Sequence, residues 1–142
     1  MSSRMRRNFR PSRLLAVLLW VVASLPGDEL ERIQKSPENL WIRIFLSDPF
    51  MHFSVFGLLT LLMCREYFQE SGRAIPAVRI GVLASGYGVM IEIYQAILPW
   101  RSFGLDDLTW NTVGVLFFLA LVKWGLHLTA PSEEQGYRVR KG

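Results

Sequence analysis

Long apolar blocks alternate with polar stretches along the chain, and this pattern predicts helices that cross a membrane. The blocks cover residues 14–26, 49–64, 77–99 and 108–128. A helix needs ~20 apolar residues, with a tolerated range of about 17–25, to cross the hydrocarbon layer. The third and fourth blocks meet this length, whereas the first two must take in flanking residues or lie in thinner bilayer. We therefore predict an all-α membrane protein with four transmembrane helices.

The basic residues are spread unevenly around these blocks, and their distribution predicts the orientation. Of the 16 Lys and Arg residues, only Arg32, Lys35, Arg43 and Arg101 lie in the links after the first and third blocks. Because cytoplasmic segments carry the basic excess, both termini and the middle link are predicted to be cytoplasmic. The net charge of +4 is thus a topology signal, and it argues against a nucleic-acid partner.

The length of 142 residues suffices for one domain, which we assign to residues 14–128. A basic cytoplasmic N-terminus, 1–13, precedes it, and a polar tail, 129–142, predicted to be disordered, follows it. The N-terminal pattern also resembles a cleaved signal peptide. We favour a retained first helix, because four spans agree with the charge distribution and three do not.

The external link at residues 27–47 has an acidic start and an apolar end. Leu40, Trp41, Ile44 and Phe45 share one helical face, which predicts a short helix in the outer interface of the membrane. A lid packed over the bundle explains the same pattern equally well.

The third block carries a stripe of small and polar residues. Gly81, Ser85, Gly88, Glu92 and Gln95 follow one another at steps of four and three, so they share one face of a helix. In membranes, small residues at this spacing are typical of the face where helices approach closely. We therefore expect the stripe to face the bundle.

Polar residues of the second and fourth blocks lie at matching depth. Asp48 and Asp107 come at the helix starts, and His52 and Asn111 follow four residues later, about 6 Å deeper. Glu92 lies about 10 Å below the outer end of the third helix. The spacing thus predicts a polar pocket under the outer surface.

Each pocket residue also has a structural explanation. Asp48 precedes Pro49 and suits an N-cap, and we assign the cap of the fourth helix to Asp106 because Asp107 shares a face with Asn111. Asn111 and Gln95 suit interhelical hydrogen bonds. Arg101 suits an ion pair with Asp107. Glu92 is hardest to explain structurally, since a buried carboxyl must be paired, protonated or bound to a cation.

Three motifs in this order resemble the VanZ-like membrane proteins. They are D-x-x-x-H-F at residues 48–53, E-x-x-Q at 92–95, and R-x5-D-x3-N-x2-G at 101–114. Pro49 departs from the family, which often has Lys at this position. The resemblance implies a bacterial cytoplasmic (inner) membrane protein of the cell envelope. It also implies an association with low-level glycopeptide resistance, to teicoplanin in particular, and it names no reaction.

Our leading hypothesis is an intramembrane site that binds or processes an envelope lipid or lipid-linked precursor. Arg101 would bind its phosphate or carboxylate, with Gln95, Asn111 and Asp48 as further binding residues. If the site is catalytic, Glu92 and His52 would act as base and acid, oriented by Asp107. A divalent cation such as Mg or Mn is an alternative occupant, held by Asp48, His52, Glu92 and Asp107.

The alternative hypothesis is a non-enzymatic membrane scaffold or partner-binding module whose polar residues hold the helices together. A transporter is the least favoured, because four spans without repeats would require a homo-oligomer.

Overall fold

A computed structural model of the protein describes residues 10–26, 44 and 47–129, with side chains to residue 125. Its helices are α1 (Pro11–Ala23), α2 (Asp48–Ser71), α3 (Ala77–Ile97) and α4 (Leu105–Thr129), and this part of the chain contains no strand. The all-α class is thereby confirmed. The basic start, most of the link with the predicted interfacial helix, and the tail after Thr129 lie outside the described residues.

Each helix arises from one apolar block, with ends set by local signals. Pro11 begins α1, where its missing N–H and fixed φ suit the first turn. Gly72 ends α2 in the left-handed conformation at φ 59°, which glycine adopts without steric cost. Consequently α1 starts before its apolar block, and α2 continues about two turns beyond its own.

Two of the described helices are long and apolar enough to cross a membrane: Ala77–Ile97, and Leu105–Gly125 within α4. The apolar α1 is shorter, at 13 residues. The last turns of α2 contain Arg65, Glu66 and Glu70, which lower its hydropathy. Membrane crossing by α1 and α2, and the position of the termini, stay predictions.

The closest packing joins α2 to α4, because glycines remove side-chain volume between them. A Cβ on Gly114 would collide with the backbone carbonyl of Phe53, and one on Gly57 would collide with the ring of Phe118. The Phe53 ring packs 5.4 Å from Phe117 and 5.7 Å from Phe118, measured between centroids. This packing brings the starts of α2 and α4 close together.

The glycine-containing stripe on α3 faces the other helices, as predicted. Gly88, Glu92 and Gln95 are buried, and a Cβ on Gly81 would lie 3.1 Å from a methyl group of Leu119. The apolar core lies between this face and the α2–α4 pair. Its larger members are Phe56, Leu59, Ile80, Ile91, Val115 and Leu119.

The helix α1 packs on α2 and α3 and is held at both ends. Near its start, the Ser12 hydroxyl donates to Glu66 at 2.6 Å and the Ser12 backbone N–H donates to the same carboxylate at 2.8 Å. Near its end, Trp20 stacks on Tyr94 with centroids 4.4 Å apart, and the Ser24 and Tyr94 hydroxyls are hydrogen-bonded at 3.0 Å. These contacts place α1 beside the outer end of α3.

Some polar residues are buried and many apolar residues are exposed, which is unusual for a water-soluble protein. Thr60, Glu92 and Asn111 are fully buried, whereas large apolar side chains are exposed on every described helix. Examples are Val17, Leu58, Val78, Val82, Ile97, Leu116 and Trp124. Apolar side chains facing outward around polar ones suit a lipid environment better than water.

Candidate functional site

The start of α2, the end of α3 and the start of α4 meet at one end of the bundle, and their polar side chains converge there. One ligand atom each from His52, Glu92 and Asp107 lies within 4.8 Å of the others. Asn111 completes the group by contacting His52. We call these four residues the polar cluster.

His52 is oriented by Asn111. Its Nδ1 lies 2.9 Å from the Asn111 Oδ1, an acceptor, so Nδ1 carries the hydrogen and donates it. In the neutral ring, Nε2 then has a free lone pair. Nε2 lies 3.7 Å from the Asp107 Oδ2, which is too long for a hydrogen bond. The imidazole therefore presents Nε2 towards the Asp107 carboxylate.

Glu92 has no exposed surface, and its two oxygens have unequal surroundings. Oε2 accepts a hydrogen bond of 3.2 Å from the Gly104 backbone N–H, whereas Oε1 has no hydrogen-bond partner among the described residues. His52, Arg101 and Asp107 lie within electrostatic range of this carboxyl group. Among the described residues, Glu92 thus has one carboxylate oxygen that is hydrogen-bonded and one that is not.

Two glycines make room for the polar cluster. A Cβ on Gly88 would lie 3.3 Å from the Asn111 Nδ2, and a Cβ on Gly104 would lie only 2.6 Å from the Asp107 Oδ2. The Gly104 carbonyl also accepts the first hydrogen bond of α4, from Leu108 at 3.1 Å. Gly104 therefore contacts both carboxylates and starts the helix that carries one of them.

Both predicted N-caps are wrong. Asp48 is the first residue of α2, after Ser47, whose hydroxyl donates to the Ile44 carbonyl at 2.7 Å and caps no helical N–H. Asp106 is the second residue of α4, because Gly104 occupies the position before the helix. A carboxylate in the first turn still interacts favourably with the helix dipole.

A cavity of about 290 Å³ lies beside the polar cluster, between α1, the start of α2 and the end of α3. We call it the outer cavity, after the side of the membrane that the sequence predicts for it. Leu15, Leu18, Leu19 and Val22 of α1 contribute an apolar wall, and the polar lining consists of Asp48, His52, Gln95 and Arg101. His52 belongs to both the cavity and the cluster.

Arg101 lies at the polar end of the outer cavity with unused hydrogen-bonding capacity. Its Nε is buried and has no partner in the described part of the chain. The ion pairs found there do not include one between Arg101 and Asp107, which was the structural explanation for this arginine. No described carboxylate therefore forms an ion pair with this guanidinium.

The family model for VanZ/LLP1 matches residues 6–126. The chain belongs to the VanZ/LLP1 family. No curated protein and no solved structure matches it. In this VanZ/LLP1 protein the three sequence motifs come from separate helices and converge at one end of the bundle.

The structure brings together seven of the predicted site residues but divides them into two groups. The polar cluster holds His52, Glu92, Asp107 and Asn111, and the outer cavity holds Asp48, Gln95 and Arg101 together with His52. The three-residue ligand group does not include Asp48, which was predicted as a fourth metal ligand.

Two contributors to the site escaped the sequence analysis. Gly104 acts through its backbone N–H, and its only signal is a glycine just before a helix with acidic residues in the first turn. The α1 wall of the outer cavity shows only as an apolar block, which looks the same whether it faces lipid or a cavity.

Proposed function

We propose that this VanZ/LLP1 protein is a four-span protein of the bacterial cytoplasmic membrane. Its outer cavity would bind the phosphate group and first apolar segment of an envelope lipid or lipid-linked precursor. The observation that carries the proposal is the unpartnered Nε of Arg101 at the polar end of an apolar cavity. A guanidinium binds phosphate through paired, charge-assisted hydrogen bonds.

The membrane assignment is supported by the outward apolar surface and the basic residues. Exposed apolar side chains occur on α1 and α2 as well as on the two longer apolar helices. The link between α2 and α3 contains Arg73 and the link between α3 and α4 contains Arg101, but further basic residues cluster on the side of Arg73. This asymmetry supports a position of the outer cavity in the external leaflet.

The shape of the outer cavity supports an amphipathic ligand. A volume of about 290 Å³ is at the lower end of the range for small-molecule sites, ~300–1,000 Å³. The leucines of α1 suit an isoprenoid or acyl segment, and Arg101, Gln95 and His52 suit its head group. If the ligand is also processed in the absence of a bound metal ion, we propose His52 and Glu92 as the acid–base pair.

The first prediction concerns Arg101. Loss of a hydrogen bond to a charged group costs about 1.5–3 kcal/mol, so Arg101→Gln should weaken binding roughly 10- to 100-fold. The measurement is native mass spectrometry of the full-length protein in detergent, titrated with a short-chain polyprenyl phosphate.

Arg73→Gln is the matched control, because Arg73 is exposed in the link between α2 and α3. It should bind like the original protein. Equal affinity of the Arg101 and Arg73 variants would refute the proposal. The same variants extend the test to teicoplanin: if the family association applies, only the Arg101 variant should lose any protection that expression gives.

A membrane scaffold is the second candidate, and the hydrogen bonds within the polar cluster favour it. One joins His52 of α2 to Asn111 of α4, and another joins Glu92 of α3 to the link before α4. Such bonds are worth roughly 0.6 kcal/mol each in membranes. The thermal stability of a Glu92→Gln variant separates the two candidates.

A further inference from the structure

We propose that His52, Glu92 and Asp107 bind one divalent transition-metal ion, Zn²⁺ or Mn²⁺. The three side chains offer an imidazole nitrogen and two carboxylate oxygens within 4.8 Å of one another. This inference goes beyond lipid binding, and metal content can be measured whether or not a lipid binds.

The orientation of His52 is the first support. Metal-binding histidines usually donate their second ring N–H to a neighbouring acceptor, which fixes the tautomer and the ring plane. Asn111, fully buried, has this role at Nδ1. The remaining nitrogen, Nε2, faces the Asp107 Oδ2 at 3.7 Å, which exceeds a hydrogen bond but leaves room for an ion between the two atoms.

Glu92 is the second, independent support. It is fully buried, and the Gly104 N–H donates to Oε2, while Oε1 has no partner among the residues that the structure describes. An unpaired oxygen in a buried site is costly, and a coordinated cation removes that cost. Oε1 is therefore the third donor atom that we assign to the ion.

Electrostatics favours a cation at this position. Glu92 and Asp107 are two carboxyl groups close together, and negative charges at such distances repel each other. Among the described residues neither carboxylate has an ion pair with Lys or Arg. A divalent ion would balance both charges and leave Arg101 free for an anion.

The donor set indicates which ions fit. Imidazole suits Zn²⁺, and carboxylates also suit Mn²⁺. Bonds of ~2.0–2.2 Å put neighbouring tetrahedral donors about 3.4 Å apart, so small side-chain rotations must close the widest gap. Three protein ligands also leave a coordination position open, as in metal sites that bind a further ligand.

The experiment measures metal directly. The full-length protein in detergent is treated with chelator, dialysed, loaded with ZnCl₂ or MnCl₂, desalted and analysed by inductively coupled plasma mass spectrometry. We expect about one ion per chain for one of the two metals. Asp107→Asn should weaken its affinity at least tenfold by isothermal titration.

Asp106→Asn is the matched control, because it removes the neighbouring carboxylate in the same first turn, where it is exposed. It should bind metal like the original protein, and circular dichroism checks that both variants stay helical. His52→Gln supplies a second variant: its loss of metal would confirm the imidazole ligand. The proposal would be overturned by less than about a tenth of an ion per chain after loading. It would also be overturned if Asp106→Asn and Asp107→Asn reduced the metal affinity equally.

Discussion

In the described part of the chain, the fully buried Glu92 has one hydrogen-bond donor for its two carboxylate oxygens. Its inward direction was predictable, because the stripe of α3 continues through it at helical spacing. Its partner was not, because the Gly104 N–H belongs to a link whose path depends on how α3 and α4 pack. A sequence shows which side chains are present, but it does not show the direction in which a backbone N–H points.

A second prediction tests whether Glu92 is kept for function or for stability. In chelator-treated protein, Glu92→Gln should leave the melting temperature unchanged or raise it. The substitution keeps the side-chain volume and removes repulsion from Asp107. The measurement is thermal unfolding in detergent, followed by circular dichroism.

Glu70→Gln is the control, because it breaks the surface ion pair with Arg10, of 2.9 Å, and such pairs contribute about 0–1 kcal/mol. A drop of many degrees for Glu92→Gln alone would favour the scaffold. It would show that the carboxylate holds the helices together.

At the scale of the element, the α2–α4 pair determines the geometry of the polar cluster. Asn111 lies three residues before Gly114, almost one turn away, so the close approach at Gly114 keeps the Asn111–His52 distance short. Gly114 was recognisable in the sequence as the last residue of the third motif. Its role was not, since spacing alone does not show which helix backbone it touches.

A third prediction follows for Gly114→Ala. The added methyl group meets the backbone carbonyl of Phe53, which cannot rotate away, so α2 and α4 must separate. Overpacking of this kind costs about 1–3 kcal/mol, and the melting temperature should fall by several degrees. The same variant should lose metal binding, because His52 loses its orientation.

Gly86→Ala is the matched control for this packing effect. Nothing lies within 4 Å of a Cβ at that position of α3, so stability should stay the same or rise slightly. Equal melting temperatures for both variants would contradict the role assigned to the α2–α4 contact.

At the scale of the whole molecule, the order of apolar blocks was enough to predict an all-helical bundle. Block length could not establish four spans, since α1 is short and α2 ends in charged turns. The helix boundaries differ from the blocks because proline and glycine set helix ends through their backbone conformation, which hydropathy does not include.

A fourth prediction tests the orientation through cysteine labelling. In intact cells, Ser102→Cys in the α3–α4 link should react with a membrane-impermeant maleimide, whereas Arg73→Cys should react only after permeabilisation. Both positions are exposed, and the one native cysteine, Cys64, is buried. The unaltered protein is therefore an internal control. If only Arg73→Cys were labelled in intact cells, the protein would have the opposite orientation in the membrane.

The shortness of α1 has a consequence for how a ligand arrives. Its 13 residues extend about 20 Å, less than the ~30 Å hydrocarbon layer. In the proposed orientation, α1 is therefore too short to line the outer cavity over the full thickness of the hydrocarbon layer. A lipid would then enter sideways by diffusion within the leaflet, without passing through water. Occupancy would follow the mole fraction of that lipid among its neighbours, so dilution into other lipids would empty the cavity even at constant total concentration.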